Sequence, residues 1–109
     1  MNSHDIMQGL LGNSIFSGCS RQDLARLLPY LQLQQLESGQ VLFESGDAAQ
    51  DCGLIVAGEF EIIGENVAAL PVSAGLLGEE AAIGMRTYMR SAVARTSARV
   101  VMLPADRLR

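Results

Sequence analysis

The amino-acid sequence predicts a mainly β domain with helices at its ends, and three observations carry that prediction. Leu24, Leu27, Leu28 and Leu31 recur at helical spacing inside the first 33 residues. Beyond residue 33, apolar runs of three or four residues alternate with turn residues at the spacing of an antiparallel sandwich or barrel. Eight of the eleven glycines lie between Gly39 and Gly84, where the turns must be.

The elements follow in order. Residues 3–11 read as a helix with Ile6, Met7, Leu10 and Leu11 on one face and Gly12 placed to end it. A connector, 14–18, is expected to dock Ile15 and Phe16 on the core. Ser20 and Asp23 stand in capping-box positions for a second helix that carries the leucine stripe. Pro29 should end that helix near Leu28 or start a separate turn. Strands are expected at 40–43, 54–56, 60–63 and 67–70, separated by Ser38-Gly39, Ser45-Gly46-Asp47, Ala57-Gly58 and Gly64-Glu65-Asn66. Two more, at 91–94 and 98–103, lie towards the C-terminus. Pro104 stops the last, and 106–109 is expected to begin a helix.

Composition removes several function classes. The net charge is −4 and every basic residue is arginine. An acidic chain without a basic run is a poor match for DNA or an anionic membrane. Four of the eight arginines, Arg86, Arg90, Arg95 and Arg99, do fall within fourteen residues, a local basic stretch suited to a small anion. His4 is the only histidine, which excludes a histidine-built zinc site and a Ser-His-Asp triad. Cys19 and Cys52 fit no metal or redox spacing and are expected as two free thiols. No apolar run is long enough to span a bilayer, and the N-terminus lacks a signal-peptide pattern, so a cytoplasmic location is expected. No nucleophile–base pair can be assembled, so the chain is not expected to be an enzyme or to need a cofactor.

One segment interrupts the strand pattern. Between the two strand groups, Gly75-Leu76-Leu77-Gly78-Glu79-Glu80-Ala81-Ala82-Ile83-Gly84 reads as a single helical turn, with Arg90-Ser91 opening the strand that follows. A cyclic nucleotide requires this kind of chemistry. Backbone N–H groups at a helix start suit a phosphate, and Gly78 lets the backbone come close. Arg90 offers a planar cationic donor fork, Ser91 a hydroxyl donor and Glu79 an acceptor for a ribose 2′-hydroxyl.

The run Leu77 to Ala82 followed by Arg90-Ser91-Ala92-Val93 resembles the phosphate-binding cassette of cyclic-nucleotide-binding domains, the type found in the catabolite activator and the regulatory subunit of cAMP-dependent protein kinase. Leu36 to Asp47 resembles that family's opening hairpin, and Ile55 to Ile62 its central strand pair. The resemblance runs from about residue 15 to the end. It implies an antiparallel β-roll (a double-stranded β-helix or jelly roll) over 34–104. An N-terminal helical bundle over 1–33, a cassette at 75–91 and a truncated C-terminal helix from 105 complete the single domain. By resemblance, Glu79 takes the ribose and Arg90 the phosphate. Ser91 stands by phosphate or base, and Gly78 with the amides of Glu80, Ala81 and Ala82 surrounds the phosphate. Leu77 stands where the family often has an aromatic residue, and 83–89 lacks the proline common before the arginine.

The function implied is cAMP or cGMP sensing for an effector domain outside this chain, and a homodimer is compatible with it. The alternative is a nucleotide-free roll acting as a docking or dimerisation module. Beside these stand plainer readings: Arg90 as a surface arginine paired with Glu79 or Glu80, Glu79 as a first-turn acid, and Arg86, Arg95 and Arg99 as solvated residues.

Overall fold

The computed structural model describes residues 3–12, 16, 18–66 and 68–107. Ile15 and the side chain of His4, both of which carried expectations, lie outside the described residues.

Helix α1 (Ser3–Leu11) buries Met7 and Leu10 and ends where the Gly12 amide donates to the Gln8 carbonyl. Helix α2 (Arg21–Ala25) has the expected capping box: the Asp23 amide donates to Ser20 Oγ and the Ser20 amide to the Asp23 carboxylate, both at 3.1 Å. These bonds lower the Asp23 pKa. The helix stops three residues short of Leu28. A proline ring clashes with the carbonyl four residues back, which here belongs to Ala25. The chain turns instead through a 3-10 segment, Leu28–Tyr30. The leucine stripe survives this break. Leu24 and Leu27 are buried, and Leu28 and Leu31 pack against the core.

Among the described residues, eight strands form two four-stranded antiparallel sheets. They are β1 (Gln32–Leu36), β2 (Val41–Phe43), β3 (Asp51–Ala57), β4 (Phe60–Ile63), β5 (Leu70–Val72), β6 (Leu76–Leu77), β7 (Ser91–Ala94) and β8 (Ala98–Pro104). One sheet has the order β1-β8-β3-β6 and the other β2-β7-β4-β5. The chain passes back and forth between the two sheets as in a jelly roll, with only β4 and β5 consecutive in one sheet, so the antiparallel β-roll expected from the resemblance is the fold observed. The sandwich interior holds Phe60, Val100, Phe43 and Ala92. Residues 100 and 101 of β8 point to opposite faces, yet Val100 and Val101 are both buried. The outer face is covered by α1, whose Gly9 approaches the Leu54 side chain beside Val101.

The strand boundaries differ from expectation for identifiable reasons. The roll begins at Gln32 rather than 34, because β1 pairs with β8 from Gln32↔Met102 to Leu36↔Ala98. This strand reads QLQQL and is exposed in all but Leu36, so it shows no apolar alternation. Its register is set by its neighbour alone. Strand β3 extends back to Asp51, held by β8 as far as Asp51↔Pro104. Strand β5 falls at 70–72 rather than 67–70 and contains Pro71, which an edge strand tolerates because one side of it needs no ladder bonds. The two-residue β6 lies inside the segment that interrupts the strand pattern. At the C-terminus a 3-10 turn, Ala105–Arg107, stands where a helix was expected to start.

Candidate functional site

Strand β6 delivers the chain to Gly78, which turns it through a left-handed conformation (φ 73°, ψ 39°) into helix α3 (Glu79–Ala82). Only glycine fits there. A Cβ on Gly78 would lie 2.8 Å from the Tyr88 ring and 3.1 Å from the Phe43 ring. Those two rings stack beneath it, 3.9 Å between centroids and 13° from parallel. The Tyr88 hydroxyl donates to the Asp51 carbonyl at 2.5 Å, tying the loop before β7 to β3 of the opposite sheet. Burial raises the Tyr88 pKa, which keeps this donor protonated. Nothing in the sequence marks Tyr88 for this role. Its spacing carries no signal, because its partners are 45 and 37 residues away in the chain.

The loop 83–90 is fixed along its length. The Met85 amide donates to the Glu80 carbonyl, and the Met89 amide donates to the Glu80 carboxylate, both at 2.9 Å. Across from it, the β2–β3 connection supplies further bonds. The Gly46 amide donates to the Tyr88 carbonyl, the Tyr88 amide to the Asp47 carbonyl and the Ala49 amide to the Arg86 carbonyl. Arg90 is thus presented from a held backbone.

These elements enclose a cleft of about 290 Å³ against β4 and β5 of the second sheet. Ile62, Leu70 and Val72 form one wall, and Leu76, Leu77, Gly78, Glu79, Glu80 and Arg90 the other, with Phe43 at the base. Four of the seven expected residues therefore meet in one place: Gly78, Glu79, Glu80 and Arg90. Among the described residues, neither the Glu79 carboxylate nor the Arg90 guanidinium has a hydrogen-bond or ion-pair partner, so the reading of Arg90 as a paired surface arginine does not hold. By contrast Arg95 does pair, with Glu59 and Glu61.

The other three stand differently. The Ala81 amide donates to the Gly78 carbonyl within the turn. Ala81 is fully buried, and neither it nor Ala82 lines the cleft. Ser91 lies just outside the cleft, where its Oγ accepts from the Ser45 amide at 2.9 Å. Glu80 was expected to contribute its amide. Its carboxylate has a further job as a brace for Met89. A helix of four residues also sums few peptide dipoles, so positive charge at this site comes mainly from Arg90.

A larger groove of about 610 Å³ lies between α2 and the C-terminal turn, lined by Phe16, Leu24, Leu27 and Tyr30 among others. Its charged groups are partly spoken for: Asp23 caps α2, and Arg107 lies over the Tyr30 ring at 4.1 Å. It offers no carboxylate and guanidinium free together, so the smaller cleft is the better candidate. Both cysteines are free thiols, Cys19 exposed and Cys52 buried, and burial pushes the Cys52 pKa up to about 12. No described helix is long and apolar enough to cross a membrane.

Comparison with known proteins decides the family. The sequence profile of the cyclic nucleotide-binding domain matches residues 33–109, most of the chain. The chain belongs to the cyclic nucleotide-binding domain family. No curated protein sequence matches it significantly. Solved structures of the same fold include a cyclic nucleotide-binding-like protein from Brucella abortus, 25% identical, with a TM-score of 0.81 over 94% of this chain and 93% of that one. The catabolite activator protein of Thermus thermophilus is 22% identical, with a TM-score of 0.70 over 85% of this chain and 46% of that one. A cAMP-bound PfPKA-R is 19% identical, with a TM-score of 0.84 over 95% and 39%. As a cyclic nucleotide-binding domain, the chain places its glycine turn, its two free charges and its apolar wall around a single cleft.

Proposed function

We propose that this cyclic nucleotide-binding domain senses cAMP or cGMP in the cleft beside α3 and performs no chemical step of its own. The observation that carries the reading is the free pair of Glu79 and Arg90 on one apolar-walled cleft. A cyclic phosphate is a monoanion that a guanidinium can meet with two donors. The ribose 2′-hydroxyl needs an acceptor, and Glu79 supplies it. Gly78 lets the backbone close on the phosphate, Ser91 retains a hydroxyl proton to donate, and Ile62, Leu70 and Val72 offer apolar surface to sugar and base. The cleft volume sits at the lower end of ordinary ligand sites, about 300 Å³ and upward. We place the module in the cytoplasm, where its ligand would report to an effector outside these residues.

The test is titration calorimetry of the chain with cAMP and with cGMP, beside Arg90→Ala. The expected result is one-site binding that the substitution weakens at least about thirty-fold, since stranding a buried phosphate without its cation costs roughly 2–5 kcal/mol. The better ligand of the two names the preferred base. Absence of binding at millimolar nucleotide, by protein shown to be folded, sinks the reading.

A second reading rests on a specific observation. Leu70, Ile83 and Met89 are 55%, 66% and 63% exposed on the cleft-lining strand and the loop that follows α3. Apolar side chains gathered there suit a docking or dimerisation module in which a protein surface covers the cleft. Sedimentation with and without nucleotide separates the two.

A further inference from the structure

We infer that Ser45, on the connection between β2 and β3, is a positioning residue for Arg90, acting jointly with Glu80; the inference rests on the nucleotide-sensing reading above. Three hydrogen bonds hold the two residues that flank the arginine, Met89 through its backbone and Ser91 through its side chain. Before it, the Met89 carbonyl accepts from the Ser45 hydroxyl at 3.2 Å and the Met89 amide donates to the Glu80 carboxylate at 2.9 Å. After it, Ser91 Oγ accepts from the Ser45 amide at 2.9 Å. One residue from a different part of the roll thus bridges the positions immediately flanking Arg90, while the arginine's own guanidinium stays unpaired.

The arrangement has a physical consequence. Arg90 is exposed and, among the described residues, its guanidinium has no partner, so none of them fixes the direction of its tip. The backbone it grows from must do so. A long side chain launched from a mobile loop would lose more freedom on meeting a phosphate than one launched from a held backbone. Ser45 and Glu80 supply that hold without touching the cleft floor. Ser45 stands between Glu44 and Gly46, where the Glu44 amide donates to the Asp47 carboxylate at 3.0 Å, so its own turn is braced.

The test begins with the ligand-free protein. Amide hydrogen exchange at Met89 is compared among the parent chain, Ser45→Ala, Ser45→Thr, Glu80→Ala and Glu80→Gln. Glu80→Ala, which removes the acceptor of the Met89 amide, should lose protection at Met89 by about tenfold, the worth of one hydrogen bond; Ser45→Ala, which releases only the Met89 carbonyl, should lose less, and glutamine and threonine should restore it. Affinity for cAMP and cGMP is then measured for Ser45→Ala with and without Arg90→Ala. Ser45→Ala should weaken the better ligand about five- to tenfold when Arg90 is present and have no effect when it is absent. Unchanged exchange at Met89, or equal weakening in both backgrounds, overturns the inference. If the parent chain binds neither nucleotide, the sensing reading falls on that result, and the exchange series still decides whether Ser45 and Glu80 hold the Arg90 backbone.

Discussion

The β3–β8 pair and the segment from Gly78 to Arg90 adjoin each other in space and are built on opposite terms. Strands β3 and β8 are the two longest, register over Asp51↔Pro104 to Ala57↔Arg99, and bury most of their side chains. The segment from Gly78 to Arg90 has one short helix, and it exposes Ile83, Met89, Glu79 and Arg90. It keeps its shape through hydrogen bonds to distant loops and through two stacked rings. The first region derives its stability from apolar area removed from water. The second spends some of that stability to leave charge and backbone available to a ligand.

The largest expected effect breaks the first region. Phe60 is wholly buried between the sheets. Phe60→Ala should destabilise the fold by about 3–5 kcal/mol in urea unfolding. If the loss were below about 1 kcal/mol, the sandwich interior would not be the scaffold described here.

Gly78→Ala comes next and attacks the join between the two regions. A side chain in the left-handed conformation costs about 1–2 kcal/mol, and the new Cβ would press on the Tyr88 ring. The expected outcome is a modest fall in stability with a larger fall in nucleotide affinity. A variant that lost stability and kept its affinity would show that the turn serves folding alone.

Alkaline pH sharpens the contrast further. The Cys52 thiol, in the β3–β8 pair, holds its proton to about 12 in the folded chain against an ordinary 9.0, because it is buried. The unfolded chain therefore gives up this proton first. Stability from Cys52 is fully present below about pH 9 and is lost as pH rises towards 12. Tyr88 is shifted in the same direction and adds to the same loss from about pH 10 upward. Urea midpoints should fall across this range, and Cys52→Ala should flatten the fall. At neutral pH a thiol reagent should label Cys19 and reach Cys52 only in denaturant.

The smallest effect is a control on the surface of the second sheet. Arg95 meets Glu59 at 3.4 Å and Glu61 at 3.8 Å, with all three side chains substantially exposed. Arg95→Ala should change stability by less than about 1 kcal/mol and leave nucleotide affinity alone. An equal loss of affinity from Arg95→Ala and Arg90→Ala would mean that net charge, not the cleft, draws the ligand.

What could be read in advance divides along the same line. The capping box at Ser20, the leucine stripe and the strands at 60–63 and 91–94 are local patterns, where period and turn chemistry act within a few residues. The resemblance of Gly78-Glu79 and Arg90-Ser91 to a phosphate cassette pointed to a segment of which Gly78, Glu79 and Arg90 line one cleft. The edge strand β1 was illegible because QLQQL carries no alternation, and the early end of α2 because a leucine stripe continues past the point where Pro29 forbids the helix. Residues 81 and 82 were expected at the ligand by their resemblance to a cassette; the structure adds that the Ala81 amide donates to the Gly78 carbonyl within the turn and that neither residue lines the cleft.

By itself, the sequence determined the class of fold, the segment that interrupts it and the residue types available for a ligand, since apolar period, glycine and charge are properties of neighbours along the chain. Only the tertiary structure decided that Glu79 and Arg90 share a cleft unpaired, that Tyr88 stacks on Phe43 beneath Gly78, and that Ser45 and Glu80 hold the backbone of Arg90. Each of these joins residues that lie apart in the chain, and such contacts exist only after the two sheets have closed on each other.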